Sequence, residues 1–554
     1  MAKPTRYTPA EMDHFVAEGF WKTTISHVWD QNALSHPDRM AIGDLRKTLT
    51  WSEAARWTNT VALNFLALGL KRDDVVVVQL PNCIELHLLR VACEKAGVLC
   101  MPVTANLREK EMQYILKASK TAAVVIPPKY KDFDFLQMIR NIRLELDLPR
   151  HILTTGSQFP EGVHSVERLS EKPLKSALAA PGDLEARRFK PTEISIINLT
   201  SGSTGFPKFV EYPAGANAAW GDGQAPVIGL TADDRVGTFA PAARGPSLPA
   251  YYDAPWVAAA IFMFPWNRPH DALRAIEENN ITVACIVPTQ ISKMLEQYKA
   301  GRYDLGTVRL WYSAGAIFPP ALAKEVEATI GGIIINDYGA VDFGGIICPH
   351  VDDPQAVRVH TVGKPRFGTE IMIADGAGNA VGPGEVGEVW GRGPACASGY
   401  YNDPRATRKT WTKDGWFPMG DLGKIDAQGN LVIAGRKKNV IIRGAQNIYP
   451  SEIEGLLITH PDIREAVVVG MPDPVMGERV CAYVVIKENT RLTFEETVAF
   501  LKEKKIASFK LPERLEIINK FPLVADQKID IQALREDIAA KLHLEKGGKA
   551  SQDI

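Results

Sequence analysis

The sequence contains few cysteines, and these form no recognisable pattern. The seven thiols are scattered, odd in number and without CxxC spacing, at Cys83, Cys93, Cys100, Cys285, Cys348, Cys396 and Cys481. Zinc sites need closely spaced ligands, and disulfide frameworks belong to small secreted domains. The sequence therefore argues against both, and most of these thiols are expected to be buried and inert.

An excess of one charge and a long apolar run are also missing. Lys and Arg total 64 against 65 for Asp and Glu, a net charge of −1, so nothing favours bulk binding to nucleic acid or anionic lipid. The most apolar stretch, 254–266, is interrupted by Pro255 and Pro265 and is shorter than the ~20 residues that span a bilayer. The N-terminus lacks a signal-peptide pattern. We expect a globular, cytoplasmic protein with no membrane span and no nucleic-acid partner.

Continuous apolar segments alternate with longer helical patterns over most of the chain. Strands are expected at 74–80, 121–126 and 281–287, and a helix at 84–95. Buried strands separated by amphipathic helices are typical of parallel sheets covered on both faces. The sequence therefore predicts an α/β fold.

The pattern changes near Ile371, where turn-rich pieces separate short strands and predict a β-rich subdomain. A tight hairpin is expected at 426–430. A basic segment, 436–438, then leads into a new α/β stretch. We therefore divide the chain into an N-terminal domain at 1–435, a connecting segment at 436–439 and a C-terminal domain at 440–554.

The stretch 196–208, IINLTSGSTGFPK, opens from an apolar strand into a loop of hydroxyl residues and glycines that ends in Lys208. Glycines let backbone N–H groups turn toward an anion, hydroxyls add donors, and the lysine adds a compact positive charge. The loop is not a Walker loop, because Gly202 and Gly205 are too close and Phe206-Pro207 precede the lysine. A flexible surface loop is the alternative, but the ordered string favours a phosphate cradle.

Five motifs in a fixed order make the chain resemble the acyl-adenylate-forming enzymes. These enzymes include acyl-CoA synthetases, luciferase-like proteins and peptide-synthetase adenylation domains. The phosphate loop is followed by DYGAVD at 337–342, Gly420-Asp421, the segment 435–444 and QKID at 527–530. The resemblance covers nearly the whole chain. It implies a large N-terminal domain of two α/β subdomains plus a β-rich subdomain, and a small mobile α+β C-terminal domain.

The resemblance also implies a nucleotide site. ATP or AMP is expected to contact Thr200, Ser201, Gly202, Ser203, Thr204, Gly205, Lys208, Gly315, Ala316, Asp337, Tyr338, Gly339, Val341, Asp421, Arg436 and Lys528. Tyr338 is expected against adenine, and Asp421 with Arg436 at the ribose. Thr200, Lys208 and Lys528 are the expected catalytic residues, with Lys528 stabilising charge at the α-phosphate.

Two positions depart from the family. The usual Thr-Glu is Val341-Asp342 here. Val341 cannot donate a hydroxyl hydrogen bond to the α-phosphate. Asp342 keeps a carboxylate for Mg²⁺ on a shorter stem.

The resemblance makes Lys438 the hinge about which the C-terminal domain rotates between two half-reactions. Arg443 and Gly444 are expected beside coenzyme A. Lys510, in the segment FKLP at 509–512, corresponds to another lysine of the family.

The acid-binding residues expected are Ala243, Gly315 and Gly339. The chain is closest to the subgroup that activates aromatic and alicyclic acids, but Ala243 stands where hydroxybenzoate activators have an asparagine. An apolar wall would leave a ring hydroxyl unpaired at a cost of roughly 1–3 kcal/mol, which favours an unsubstituted ring. If Arg244 points inward, a dicarboxylic acid is favoured instead. We favour the outward orientation.

These residues predict an AMP-forming acyl-CoA synthetase that uses ATP, Mg²⁺ and coenzyme A on a cyclic carboxylic acid. The alternatives are a stand-alone enzyme that loads a carrier protein, a ligase for linear or dicarboxylic acids, and a binding protein on an inactivated scaffold. A homodimer is left open.

Overall fold

The computed structural model describes residues 3–156, 160–174, 181–200, 207–241, 245–443, 446–523 and 529–550. The chain divides into two compact units. The first comprises Met1–Phe318, Lys324–Ile371 and Gly391–Phe417, and the second comprises Pro319–Ala323, Met372–Trp390 and Pro418–Ile554. Strands and helices are numbered along the chain.

The first unit contains an eight-stranded sheet whose central strands are parallel. Its order is β21 (Gly399–Tyr400), β11 (Phe209–Pro213), β10 (Ile194–Leu199), β4 (Leu99–Val103), β3 (Val75–Gln79), β5 (Ala123–Ile126), β8 (His151–Thr154) and β9 (His164–Ser165). Every residue of β3 is buried, because its valine run faces helices on both sides. β10 is parallel to β4, whereas the two pairs at that edge of the sheet, β10–β11 and β11–β21, are antiparallel.

A second, seven-stranded sheet lies in the same unit. Its order is β16 (Ile333–Asp337), β15 (Leu310–Ala314), β14 (Val283–Ile286), β12 (Arg235–Thr238), β13 (Ala260–Met263), β1 (Met40–Gly43) and β2 (Thr48–Thr50). All neighbours are parallel except the edge pair β1–β2. The carboxyl ends of β12, β14, β15 and β16 therefore meet at one edge, where open α/β sheets bind ligands.

Helices connect these strands. They are α1 (Pro9–Ala17), α2 (Ile25–Ser35), α3 (Trp51–Ala67), α4 (Ile84–Ala96), α5 (Glu109–Ala118), α6 (Phe135–Leu146), α7 (Val166–Glu171), α8 (Pro181–Arg187), α9 (Ala214–Gln224), α10 (Ala254–Trp256), α11 (Pro269–Glu278), α12 (Pro288–Ala300), α13 (Pro320–Thr329), α14 (Gln355–His360) and α15 (Pro404–Thr410). A capping box at Thr50 starts α3. Gly97 ends α4 at a φ of +65°, and a Cβ there would lie 2.3 Å from the Arg187 carbonyl oxygen. This packing fixes the turn between α4 and β4.

Shorter antiparallel pairs complete the α/β part of the chain. They are β6 (Lys129–Tyr130) with β7 (Phe133–Asp134), and β17 (Ile347–Cys348) with β18 (Lys364–Pro365). The next sheet is four-stranded, in the order β19 (Glu370–Ala374), β20 (Gly387–Arg392), β22 (Phe417–Ile425) and β23 (Leu431–Arg436). The hairpin predicted at 426–430 joins β22 and β23, closed by the Asp426 N–H and the Asn430 carbonyl at 2.9 Å.

The C-terminal sheet has apolar residues on both faces. It contains β25 (Gln446–Ile448), β24 (Ile441–Arg443), β27 (Gly477–Ile486) and β26 (Ile463–Asp473), with β28 (Arg514–Ile517) parallel to β27. Val468 faces a core shared with α16 (Pro450–Leu457) and α17 (Phe494–Glu503), while Val467 and Val469 face α18 (Ile531–Ala550). Side chains alternate along a strand, so one hydrophobic run fills two cores.

The predicted α/β class is confirmed, with four predicted elements observed as β3, β5, β14 and α4. All seven cysteines are buried and free. Among the described residues, none of the helices has both the length and the apolar character needed to cross a membrane. The predicted division of the chain into 1–435, a hinge at 436–439 and 440–554 describes which part moves during the reaction. It stays a prediction.

Candidate active site

The two ends of the predicted phosphate loop are tied together. The Thr200 N–H donates to the Lys208 carbonyl at 3.1 Å, and the Lys208 N–H donates to Thr200 Oγ1 at 3.3 Å. These bonds extend the β10–β11 pairing by one residue pair, so Thr200 and Lys208, two of the three predicted catalytic residues, lie at the base of the loop. The predicted contacts Ser201, Gly202, Ser203, Thr204 and Gly205 lie outside the described residues.

Lys208 is connected to Asp342 through a tyrosine. Lys208 Nζ donates to the Tyr400 hydroxyl at 3.2 Å and lies 4.5 Å from the centre of its ring. The Tyr400 hydroxyl donates to Asp342 Oδ2 at 2.9 Å. The structure thus brings together a predicted phosphate-binding cation and the predicted metal-binding carboxylate.

Within the described residues, one carboxylate oxygen of Asp342 has no hydrogen-bond partner. Its Oδ1 is buried and has no hydrogen bond to any described residue. Burial raises the pKa of Asp342, while the Tyr400 hydrogen bond and the Lys208 charge act in the opposite direction. No group of three or more His, Cys, Asp or Glu in the described part of the chain could hold a metal ion by itself. A cation here would need further ligands, which phosphate oxygens can supply.

The carboxyl ends of β15 and β16 form the predicted nucleotide edge. The strands are in parallel register, with Ala314 beside Asp337, so Gly315 and Ala316 come next to Tyr338 and Gly339. Gly315, Ala316 and Gly339 are exposed and Tyr338 is half-buried, whereas the strands themselves are buried. Gly315 has a φ of +83°, a conformation that favours glycine. This edge is open to a ligand.

Asp337 and Val341 make contacts away from this edge. Asp337 is buried and accepts a hydrogen bond from Gln224 Nε2 at 3.2 Å, and burial raises its pKa to about 7. The Val341 carbonyl accepts a hydrogen bond from the Tyr212 hydroxyl at 2.6 Å. The predicted nucleotide contacts of both residues stay predictions.

The predicted acid-binding segment approaches the same edge. Ala243 and Arg244 lie outside the described residues, but the following turn, Gly245–Ser247, is described. Pro246 Cγ lies 3.8 Å from the position that a Cβ on Gly315 would take. The segment after β12 therefore reaches the end of β15, as an acid pocket there requires.

The second unit holds the predicted ribose pair and hinge. Asp421 Oδ1 lies 2.8 Å from Arg436 Nε. Lys438 is exposed in the short 3₁₀ turn Lys437–Asn439, and its neighbour Lys437 pairs with Glu388 at 2.9 Å. A turn between two sheets is a suitable place for a hinge, because few contacts restrain its backbone.

The predicted coenzyme A residue Arg443 is already paired within the second unit. Its Nε lies 2.7 Å from Glu513 Oε1. Lys510 is likewise paired with Glu452 at 2.7 Å. Gly444 and Lys528 lie outside the described residues, so their predicted roles rest on the sequence alone.

Two families match the chain in sequence. The family described as AMP-binding enzyme matches residues 29–401, and the family described as AMP-binding enzyme C-terminal domain matches residues 452–528. The chain belongs to the AMP-binding enzymes.

Similar proteins extend over almost the whole of this AMP-binding enzyme. It is 30% identical to a 2-hydroxy-7-methoxy-5-methyl-1-naphthoate–CoA ligase of Streptomyces carzinostaticus, over 94% of each chain. It is 29% identical to a medium-chain fatty-acid–CoA ligase of Escherichia coli K12, over 95% of this chain and 92% of the relative. The crystal structure of an anthranilate CoA ligase in complex with anthranoyl-AMP has the same fold. Its TM-score is 0.85 at 24% identity, with 94% of this chain and 98% of that one covered.

This AMP-binding enzyme is accordingly an ATP-dependent enzyme that activates a carboxylic acid. It belongs with the acyl- or aryl-CoA ligases and the related adenylating enzymes. One residue of the candidate site, Tyr400, was not predicted from the sequence. Its Gly-Tyr-Tyr context carries no signal of its own, and only the pairing of β21 with β11 brings it to Lys208.

Proposed function

We propose that this AMP-binding enzyme is an AMP-forming acid–CoA ligase for a cyclic carboxylic acid, such as benzoate, cyclohexanecarboxylate or a cyclohexene carboxylate. In the first step a carboxylate oxygen attacks the α-phosphorus of ATP and pyrophosphate leaves, giving an acyl-adenylate. In the second step the thiol sulfur of coenzyme A attacks the acyl carbon and AMP leaves. Both steps are reversible.

The observation that carries the proposal is the Lys208–Tyr400–Asp342 chain at the base of the phosphate loop. It holds an ammonium at the base of this loop and links it to a carboxylate, one oxygen of which has no hydrogen-bond partner among the described residues. A nucleoside triphosphate with its divalent cation needs both groups: the ammonium for the phosphates and the carboxylate for the cation. Catalysis of phosphoryl chemistry consists mainly of positioning and charge stabilisation.

Mg²⁺ fits the donor set. Asp342 would hold it through Oδ1, which is buried and has no partner in the described part of the chain, together with phosphate oxygens, and the bound ion would neutralise phosphate charge. The shorter aspartate stem does not remove the oxygen ligand that Mg²⁺ prefers.

The remaining roles follow from the family. Lys528 would stabilise charge at the α-phosphorus in the first step, Tyr338 would lie against adenine, and Asp421 with Arg436 would bind the ribose. Rotation about Lys438 would then replace Lys528 by the segment around Gly444 for the thioester step.

The cyclic acid is supported by Ala243, whose methyl group offers no partner to a ring hydroxyl. The relative at 30% identity is named for a naphthoate, which is a ring acid too. The relative named for medium-chain fatty acids is the reason to test linear acids beside them.

The test is acid-dependent exchange of pyrophosphate into ATP, followed by thioester formation with coenzyme A. The panel should contain benzoate, the two alicyclic acids, salicylate, octanoate and adipate. These acids distinguish the effects of a ring, a ring hydroxyl, a linear chain and a second carboxylate on the rate. We expect the unsubstituted ring acids to be preferred over salicylate. Preference for octanoate or adipate would overturn the acid class and leave the reaction intact.

Two further outcomes would contradict the reaction itself. Exchange without thioester on addition of coenzyme A would indicate a carrier-loading enzyme. No exchange with any acid would indicate an inactive scaffold. As an internal check, Lys208→Met should lower exchange by about 10²–10³-fold, whereas the exposed Lys190→Met should not.

A further inference from the structure

The Tyr400 hydroxyl lies between the two charged groups of the phosphate site, Lys208 and Asp342. It donates to Asp342 Oδ2 at 2.9 Å and accepts from Lys208 Nζ at 3.2 Å. An ammonium can only donate, and a phenol has a single O–H, so the direction of both bonds is determined. One hydroxyl therefore fixes the position of a cation and of an anion at the same time.

The ring that carries this hydroxyl is itself held in place. Tyr400 is 1% exposed, its backbone N–H donates to Thr407 Oγ1 at 2.9 Å, and its ring meets the Trp411 ring edge-on at 5.1 Å. The Lys208 ammonium also lies over the ring face. Because the ring is already immobilised by packing, the two hydrogen bonds cost little further side-chain entropy.

The bridge occupies only one oxygen of Asp342. Oδ2 is held by Tyr400, while Oδ1 is buried without a partner in the described chain. A carboxylate anchored through one oxygen presents the other in a fixed direction. The family has a glutamate here, and the aspartate stem is one methylene shorter, which leaves the carboxylate fewer ways to adjust to a cation.

We propose that Tyr400 is a positioning residue of the phosphate site: it orients the free oxygen of Asp342 toward the divalent cation and holds Lys208 ready for the triphosphate. This role rests on the proposed function, since it needs an ATP site. The alternative is a purely structural tyrosine that packs against Trp411.

Tyr400→Phe separates these roles, because phenylalanine keeps the ring and removes the hydroxyl. Tyr401→Phe is the matched control, one residue along the same segment and outside the bridge. We expect both variants to fold with nearly unchanged Tm. In Tyr400→Phe, calorimetric titration of a non-hydrolysable ATP analogue should show affinity in the presence of Mg²⁺ reduced on the order of tenfold. In the absence of Mg²⁺ the reduction should be smaller.

Kinetics provide a second readout. The Mg²⁺ concentration for half-maximal exchange and the KM for ATP should rise about tenfold in Tyr400→Phe, with kcat changed less. A double-mutant cycle with Asp342→Ala should be non-additive, because each substitution removes the Tyr400–Asp342 hydrogen bond.

Unchanged Mg²⁺ dependence and ATP affinity, with a lowered Tm only, would show that Tyr400 is structural and overturn the proposal. Additive effects with Asp342→Ala would also overturn it. Failure of the proposed function is distinguishable, since it would appear as absent exchange in the unsubstituted enzyme. The analogue titration needs no acid and still decides the role of Tyr400.

Discussion

Asp421 lies directly opposite Arg436 in the antiparallel pair β22–β23, and the two side chains form an ion pair of 2.8 Å. Asp421 is buried, whereas the Arg436 side chain is 51% exposed. Arg436 also approaches the Met419 carbonyl, 3.4 Å from its Nη1. The two residues are 15 positions apart in the chain, and the pairing of β22 with β23 brings these predicted ribose contacts together.

Asp421→Asn should weaken ATP binding more than it weakens the fold. The amide keeps the shape but replaces one of the two acceptor oxygens that a ribose diol would use, so we expect the KM for ATP to rise about tenfold. Arg436→Met should lower Tm by little, because pairs with an exposed partner contribute ~0–1 kcal/mol. Steady-state exchange kinetics and thermal unfolding check both. An unchanged KM for ATP in both variants would contradict the ribose assignment.

Asp253→Asn should stabilise the protein at neutral pH. The Asp253 side chain is fully buried, and neither carboxyl oxygen has a hydrogen-bond partner in the described chain. Burial, and secondarily the Asp337 carboxyl, raise the pKa of Asp253 well above its usual value. The folded state therefore holds a proton that the unfolded chain releases near pH 4, so stability is lost as pH rises above about 4.

The asparagine cannot ionise, so its advantage should grow from pH 5 to pH 7 and reach about 1–3 kcal/mol. Urea unfolding at both pH values measures it. Asp233→Asn, at a carboxylate that is 95% exposed, is the control and should show no such trend. A variant less stable than the parent at pH 7 would mean that the ionised carboxylate has a native partner.

Lys528→Ala should abolish adenylation and spare thioester formation from a supplied acyl-adenylate. The reason is that the ammonium is needed only where charge accumulates on the α-phosphate, and the loss should be about 10²–10³-fold. Pyrophosphate exchange measures the first step, and coenzyme A consumption with synthetic adenylate measures the second. Lys520→Ala, at an exposed lysine of the same C-terminal part, is the control. Equal loss in both steps would contradict the two-conformation scheme.

Val341→Thr should raise the affinity for ATP. Threonine has nearly the shape of valine and supplies the hydroxyl that the family uses at the α-phosphate, while the backbone contact with Tyr212 is independent of the side chain. A new hydrogen bond to a charged group predicts a KM for ATP lowered several-fold. An unchanged or raised KM would indicate that another group already makes this contact.

Much of the fold could be predicted because its signals are local. The valine run of β3 and the apolar segment of β14 are buried on both faces, so their hydrophobicity alone predicts a parallel sheet. The hairpin at 426–430 is likewise encoded by its turn residues. The order of the strands is not local, because it depends on which segments pack across the sheet.

By itself, the sequence determined the family and the order of the motifs, and it predicted the phosphate loop, since these depend on residue types at short spacings. Only the tertiary structure decided that Tyr400 joins Lys208 to Asp342, residues far apart in the chain that β21 and β11 bring together. The tertiary structure also buries Asp337 beside Gln224, and this burial raises the pKa of Asp337. Contacts of this kind depend on packing between distant segments, and no pattern within a single segment encodes them.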